Sequence, residues 1–128
     1  MKAILATIFL CLALFVDISQ EIATCIRTGN AKELAKHFGT NIDLTLAGKE
    51  DMYSKAQAEQ IMRGFFQKNP PLQFRLTHQP AGSGASQYGI GTYLSTQHKQ
   101  FRIYFVIRRI GNQEFLQQLS IEPEKSTH

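Results

Sequence analysis

Leu72, Phe74, Leu76 and His78 alternate with Gln73, Arg75, Thr77 and Gln79, a pattern that puts an imidazole on the apolar face of a strand. Gln117 holds a similar place beside Phe115, Leu119 and Ile121. Tyr88, Ile90, Thr92 and Leu94 form a further apolar face. Buried imidazole and amide groups need hydrogen-bond partners. His78, Tyr88, Thr92 and Gln117 are therefore the candidate polar wall of a ligand pocket. A closed structural hydrogen-bond network would use the same residues. The two readings differ in whether the space between them is open.

Catalysis finds little support. General acid–base chemistry needs a base in reach of an orienting partner. Asp43 falls on the polar face of its strand, Glu50 and Asp51 read as a turn, and Glu59 lies off its helix stripe. His78 is the one candidate base, and no partner can be drawn for it. His37, His78, His98 and His128 show no metal-ligand spacing. Gly82-Ser83-Gly84 lacks the lysine and following helix of a phosphate loop. No cofactor and no metal are expected.

The elements that carry these residues fall in two halves. Ile22, Cys25 and Ile26 make a helical stripe over Glu21 to Thr28. Gly29 breaks it, and Asn30 N-caps a second helix with Ala31, Leu34, Ala35 and Phe38 on one side and Gly39 as its stop. Asn41 to Ala47 alternates as a half-buried strand. Ser54 and Gln57 have the spacing of a capping box, and Ala58, Ile61, Met62, Phe65 and Phe66 follow at helical spacing. Asn69-Pro70-Pro71 ends that helix, because proline lacks the N–H and restricts its predecessor. Four strands with short connections follow, around Leu72, Tyr88, Phe101 and Phe115, with a turn over Pro80 to Gly84. Helices followed by an antiparallel meander mean an α+β fold. Helices packed on the concave side of a bent sheet would bury both sets of stripes.

The N-terminus reads as a targeting segment. After Lys2, Ala3 to Val16 is a fourteen-residue run with Thr7 its one polar residue, and Asp17 ends it. A membrane-spanning helix needs about 20 apolar residues, so the run is too short to span and fits a signal peptide. The expected division is a signal peptide at 1–19, one domain at 20–123 and a frayed tail at 124–128. The expected location is exported, in the periplasm or outside the cell. A lipoprotein is a lesser alternative: Ile22-Ala23-Thr24-Cys25 only loosely matches a lipidation box. Cys11 would leave with the leader, so Cys25 has no internal disulfide partner and reads as a small buried apolar residue. Lys2 and Asp17 leave together, which keeps the net charge at +4. The basic residues form no run, which argues against nucleic acid as a partner. Arg75, Arg102, Arg108 and Tyr104 fall on the outward strand face, which suits solvent or a homodimer through the sheet.

The order of elements resembles the cone-shaped nuclear transport factor 2-like (cystatin-like) fold. The chain is also similar to a family of small exported proteins of Bacteroidota, domain of unknown function 4783. GNAKELAKHF from Gly29, LAGKEDMYSKAQAEQIMRGFFQKNPP from Leu46 and YGIGTY from Tyr88 carry that likeness. FRIYFVIRR from Phe101 and QQLSIE from Gln117 complete it. The resemblance implies N-terminal helices on a curved, mainly antiparallel sheet, and an export route. It implies no activity. The functional expectation is a non-catalytic binding or interaction module of the cell envelope, holding a small apolar ligand or a protein partner. The alternative is a small hydrolase or isomerase with His78 as general base.

Overall fold

The computed structural model describes residues 18–81 and 86–124, with the side chains of 78–81 outside the described set. The apolar leader run, most of the turn over Pro80 to Gly84 and the tail beyond Glu124 lie outside these residues. Helix α1 spans Ile18–Thr28 and α2 spans Ala31–Ala35. Strands β1 (Phe38–Leu46) and β2 (Lys49–Ser54) form a hairpin, and α3 spans Lys55–Lys68. Strands β3 (Pro71–Ala81), β4 (Ser86–Ser95), β5 (Gln100–Ile110) and β6 (Gln113–Pro123) complete the chain.

The six strands make one curved sheet in the order β2-β1-β6-β5-β4-β3. Every neighbouring pair is antiparallel except β1 with β6. The helices cover one face of this sheet. Ile22, Ile26, Leu34 and Met62 from the helices meet Ile42, Leu44, Ile103, Phe105, Ile107, Leu116, Leu119 and Ile121 from the strands, each at most 1 % exposed. Burying such a side chain contributes about 1.5–3 kcal/mol. Cys25 joins this core, and burial pushes its thiol pKa up, with Glu33 and Glu21 adding to the shift. Among the described residues, no helix is long and apolar enough to cross a membrane.

Local signals fix the helix ends. Asn30 accepts a hydrogen bond from the Glu33 N–H, capping α2. Both halves of the Ser54–Gln57 capping box are formed. Glu33 is held below the usual carboxylate range by its hydrogen bond and charge pairing with Lys36. Helix α1 starts at least three residues before Glu21: Ile18 packs against the core and Ser19 is fully buried.

Several expectations about the strands need correction. Phe38 belongs to β1 rather than α2, because it pairs with Leu116 of β6, and Gly39 is therefore a strand residue. Glu50 and Asp51 lie in β2, opposite Thr45 and Leu44. The turn is Ala47-Gly48, with φ of 53° and 83°, the left-handed pair that a two-residue hairpin favours. Asp43 is half-buried rather than exposed, and its Oδ1 has no hydrogen-bond partner among the described residues. Glu124 is bound into the sheet by its N–H, which donates to the Gln100 carbonyl at 2.9 Å.

The core face of β4 is the reverse of the one expected. Gly89, Gly91, Tyr93 and Ser95 face the helices, while Tyr88, Ile90, Thr92 and Leu94 face the other way. The reason is aromatic volume. Phe105 lies over Gly89 and Phe74 over Gly91, where a Cβ would come within 2.5 Å and 2.6 Å of their rings. Strand β6 also departs from simple alternation. Ile107 pairs with Leu116 while Val106 pairs with Gln118, so Gln117 sits in a bulge and Leu116 takes the core position.

Candidate functional site

A cleft of about 850 Å³ opens between the C-terminal half of α3 and one end of the sheet. Its floor is apolar. Ile61 and Phe65 come from α3, Leu46 from the end of β1, Phe101 from the start of β5 and Pro123 from the end of β6. Its rim is polar, with Lys68, Asn69, His98 and Lys99 along one side and Glu124 with Gln100 at the sheet end. That volume is in the range of small-molecule sites, about 300–1,000 Å³.

An aromatic cluster holds the floor. Phe65 meets Tyr93 at a tilt with centroids 5.4 Å apart, and Phe101 edge-on with centroids 5.1 Å apart. Edge-to-face packing of this kind is favoured by the ring quadrupoles. Tyr93 is fully buried, and its hydroxyl donates to the Asn69 carbonyl just past α3. Burial pushes the phenol pKa far up, so it serves as a neutral donor.

The rim is ordered by the same connection. Asn69 donates both its backbone N–H (2.8 Å) and its Nδ2 (3.3 Å) to the Phe65 carbonyl, closing the end of α3. The Thr96 N–H donates to the Pro70 carbonyl at 2.8 Å, tying the β4–β5 turn to the α3–β3 link. Within that turn, Ser95 Oγ accepts from the Gln97 and Lys99 N–H groups at 3.2 Å and 3.1 Å. His98 is held there at φ 65°, a left-handed conformation uncommon for a residue with a side chain. Lys68 and Lys99 both line the cleft, and neither makes an ion pair with a described residue. Glu124 pairs with Arg102 at 3.4 Å.

Gly64 also lines the cleft. It lies in the interior of α3, and a Cβ there would meet nothing within 4 Å. A glycine inside a helix costs about 1 kcal/mol relative to alanine. No packing contact requires it.

The residues singled out from sequence lie elsewhere. Tyr88 is 45 % exposed on the outer sheet face, its ring 6.2 Å from that of Tyr104. Thr92 is on the same face, opposite Arg75 and Arg102. Gln117 is half-buried in its bulge. None of these three lines the cleft. The backbone of His78 pairs with Ile90, with a register shift between Leu76 and His78, and its side chain lies outside the described set. Sequence periodicity missed the cleft residues because they come from four distant segments. The one local sign was the glycine inside a helical stripe.

The cleft offers an apolar floor and a polar rim. Of its ionisable groups, Lys68, Lys99 and His98 make no hydrogen bond to another described side chain, and Glu124 is engaged with Arg102. No base–orienter pair is assembled among the described residues of the cleft. No three His, Cys, Asp or Glu side chains converge as a metal site among the described residues.

Among the described residues, no helix covers the outer sheet face. Tyr88, Ile90, Tyr104 and Val106 lie at its centre, on adjacent strands. Arg75, Arg102 and Arg108 are exposed toward β3–β5, as expected from sequence. At the β1–β2 end, Glu50 has its carboxyl held above the usual range by a hydrogen bond and charge repulsion from Asp43.

Solved structures share this architecture. A protein of Bacteroides uniformis is 24 % identical with a TM-score of 0.81, covering 86 % of this chain and 100 % of its own. One from Bacteroides ovatus is 26 % identical with a TM-score of 0.77, covering 83 % and 94 %. A member of the nuclear transport factor 2-like family from Streptomyces avermitilis is 13 % identical with a TM-score of 0.64, covering 84 % and 91 %. It shares the fold alone. No curated protein matches the sequence. Both Bacteroides proteins are of the domain of unknown function 4783, and the model of that family matches residues 19–122 here. The chain belongs to the domain of unknown function 4783 family (DUF4783).

Proposed function

We propose that this protein is an exported, non-catalytic binding module of the bacterial cell envelope that holds a small apolar or amphipathic molecule between α3 and the sheet. The observation that carries the reading is the cleft itself, an apolar floor of Leu46, Ile61, Phe65, Phe101 and Pro123 under a polar rim. Ligand sites of this kind are concave and mostly apolar, with a few polar groups to orient the ligand. The apolar run at 3–16 supports export. The hydrolase or isomerase reading is weaker, because β3, which carries His78, contributes no described residue to the cleft.

The test is binding of Nile red, an uncharged apolar dye, by wild type and by Gly64→Leu, which puts a side chain into the open space of the cleft. Wild type is expected to bind and the variant to lose binding while keeping its fold by circular dichroism. Equal binding by both, or by neither, would overturn the reading.

A second reading has its own observation. The pair Tyr88–Tyr104, with Ile90 and Val106, leaves aromatic and aliphatic surface on the outer sheet face. Tyr and Arg are enriched at protein interfaces. A homodimer through this face would bury it. Sedimentation equilibrium of wild type and Tyr104→Glu tests this: a dimer dissociated by the substitution supports it, and a monomeric wild type overturns it.

A further inference from the structure

We infer that the cleft selects a molecule with an apolar body and a single acidic head, such as a medium-chain carboxylic acid, with Lys68 and Lys99 receiving the carboxylate. This rests on the binding role proposed above and adds the ligand's chemical class.

The argument is one of charge on a fixed rim. Among the described residues, Lys68, Lys99 and Glu124 are the charged ones that line the cleft, with His98 beside them. Among the described residues, Arg102 partners the Glu124 carboxylate and no carboxylate pairs with either ammonium group. The end of α3 would otherwise favour a cation, since helix C-termini carry about half a negative charge. Here Asn69 closes the Phe65 carbonyl with two N–H groups, and Lys68 itself stands in the last turn. The hydrogen bond from Thr96 to Pro70 keeps the backbone segments bearing Lys68 and Lys99 together, so both lysines line the same cleft. Below them lie Phe65 and Phe101, which offer the apolar body no polar partner. A neutral amphiphile would leave both lysines without a counter-charge. A cationic one would meet them as like charges.

Displacement of Nile red, with every competitor below its micelle concentration, separates these cases. Dodecanoate is expected to displace the dye at lower concentration than dodecyl maltoside, and dodecyltrimethylammonium at the highest. Shortening the acid from dodecanoate to decanoate removes two methylenes and weakens displacement by roughly ten-fold if both are fully buried. Lys68→Gln and Lys99→Gln are each expected to weaken dodecanoate by roughly two- to five-fold, less at high salt. Lys68→Glu with Lys99→Glu is expected to reverse the order, so that the cationic amphiphile binds better than the acid. Dodecyl maltoside matching dodecanoate, or a Lys68→Glu, Lys99→Glu double variant that leaves the order unchanged, would overturn the charge selection and leave the binding cleft standing. Failure of Nile red to bind at all would remove both. An acidic membrane surface offers similar chemistry, so phosphatidylglycerol vesicles are the further arm. Co-sedimentation with vesicles, without binding of monomeric dodecanoate, would overturn the inference.

Discussion

Phe105 occupies the space that a side chain at Gly89 would need: a Cβ there would lie 2.5 Å from the ring's Cζ. The two residues are direct cross-strand partners on β4 and β5. Phe74 of β3, whose direct partner is Tyr93, reaches diagonally over Gly91 and fills the same kind of space, with the Arg75 carbonyl also 2.9 Å away. These glycines are gaps that two core aromatics fill. Gly89→Ala and Gly91→Ala are each expected to destabilise the protein by about 1–3 kcal/mol through overpacking. Gly64→Ala is expected to do the opposite, stabilising by about 0.5–1 kcal/mol, because its Cβ meets nothing and glycine is a poor helix former. Urea unfolding of the three variants checks the contrast. Stability losses of similar size at all three positions would refute it.

Tyr93 joins β4 to the end of α3 through its hydroxyl. Tyr93→Phe keeps the ring and its packing against Phe65 and Phe101 but leaves the Asn69 carbonyl without that donor. Loss of one partner from a buried pair costs about 1–3 kcal/mol. The expected outcome is a lower urea midpoint with an unchanged m-value. An unchanged midpoint would mean that solvent replaces the hydroxyl at this carbonyl.

The Asp43–Glu50 pair makes a prediction about pH. Glu50 has its carboxyl raised above the ordinary value of 4.5 by the hydrogen bond and charge of Asp43. A carboxyl raised on folding binds more protons in the native than in the unfolded state within that window. Stability from this group therefore falls as pH rises from 4.5 through the raised value. Glu50→Gln removes the charge. It is expected to raise Tm at neutral pH, with the advantage fading below 4.5, where the wild-type carboxyl is protonated in both states. Thermal melts across pH check this, and a pH-independent difference between the two proteins would count against it.

What the sequence made legible was local. The Ser54–Gln57 box and the Asn69-Pro70-Pro71 stop are set by neighbouring residues, and both stand where expected. The face of β4 was hidden because a glycine reads as an absence, whereas here the absence is what Phe105 and Phe74 require. Strict alternation placed Gln117 in the core, but a one-residue bulge moves Leu116 there instead. Strand β2 shows no apolar face to read: of its six residues only Tyr53 is even partly buried. The floor and rim of the cleft join α3, the β4–β5 turn and the ends of β1 and β6. Such a meeting is a property of topology, and no spacing along the chain announces it.

The N-terminal boundary yields the last prediction. Cleavage after Ser19 would remove two residues of α1, one of them fully buried and the other, Ile18, packed against the core. A chain beginning at Gln20 would expose apolar surface of α1's neighbours and shorten its first turn. At about 25 cal/mol per Å² of apolar surface, partial loss of one isoleucine and its surroundings costs about 1–2 kcal/mol. A chain starting at Gln20 is therefore expected to unfold at lower urea than one starting at Ile18. N-terminal sequencing of the protein recovered from its host is expected to find a start at or before Ile18. Equal stability of the two chains, or a native start at Gln20, would place the folded boundary after Ser19 instead.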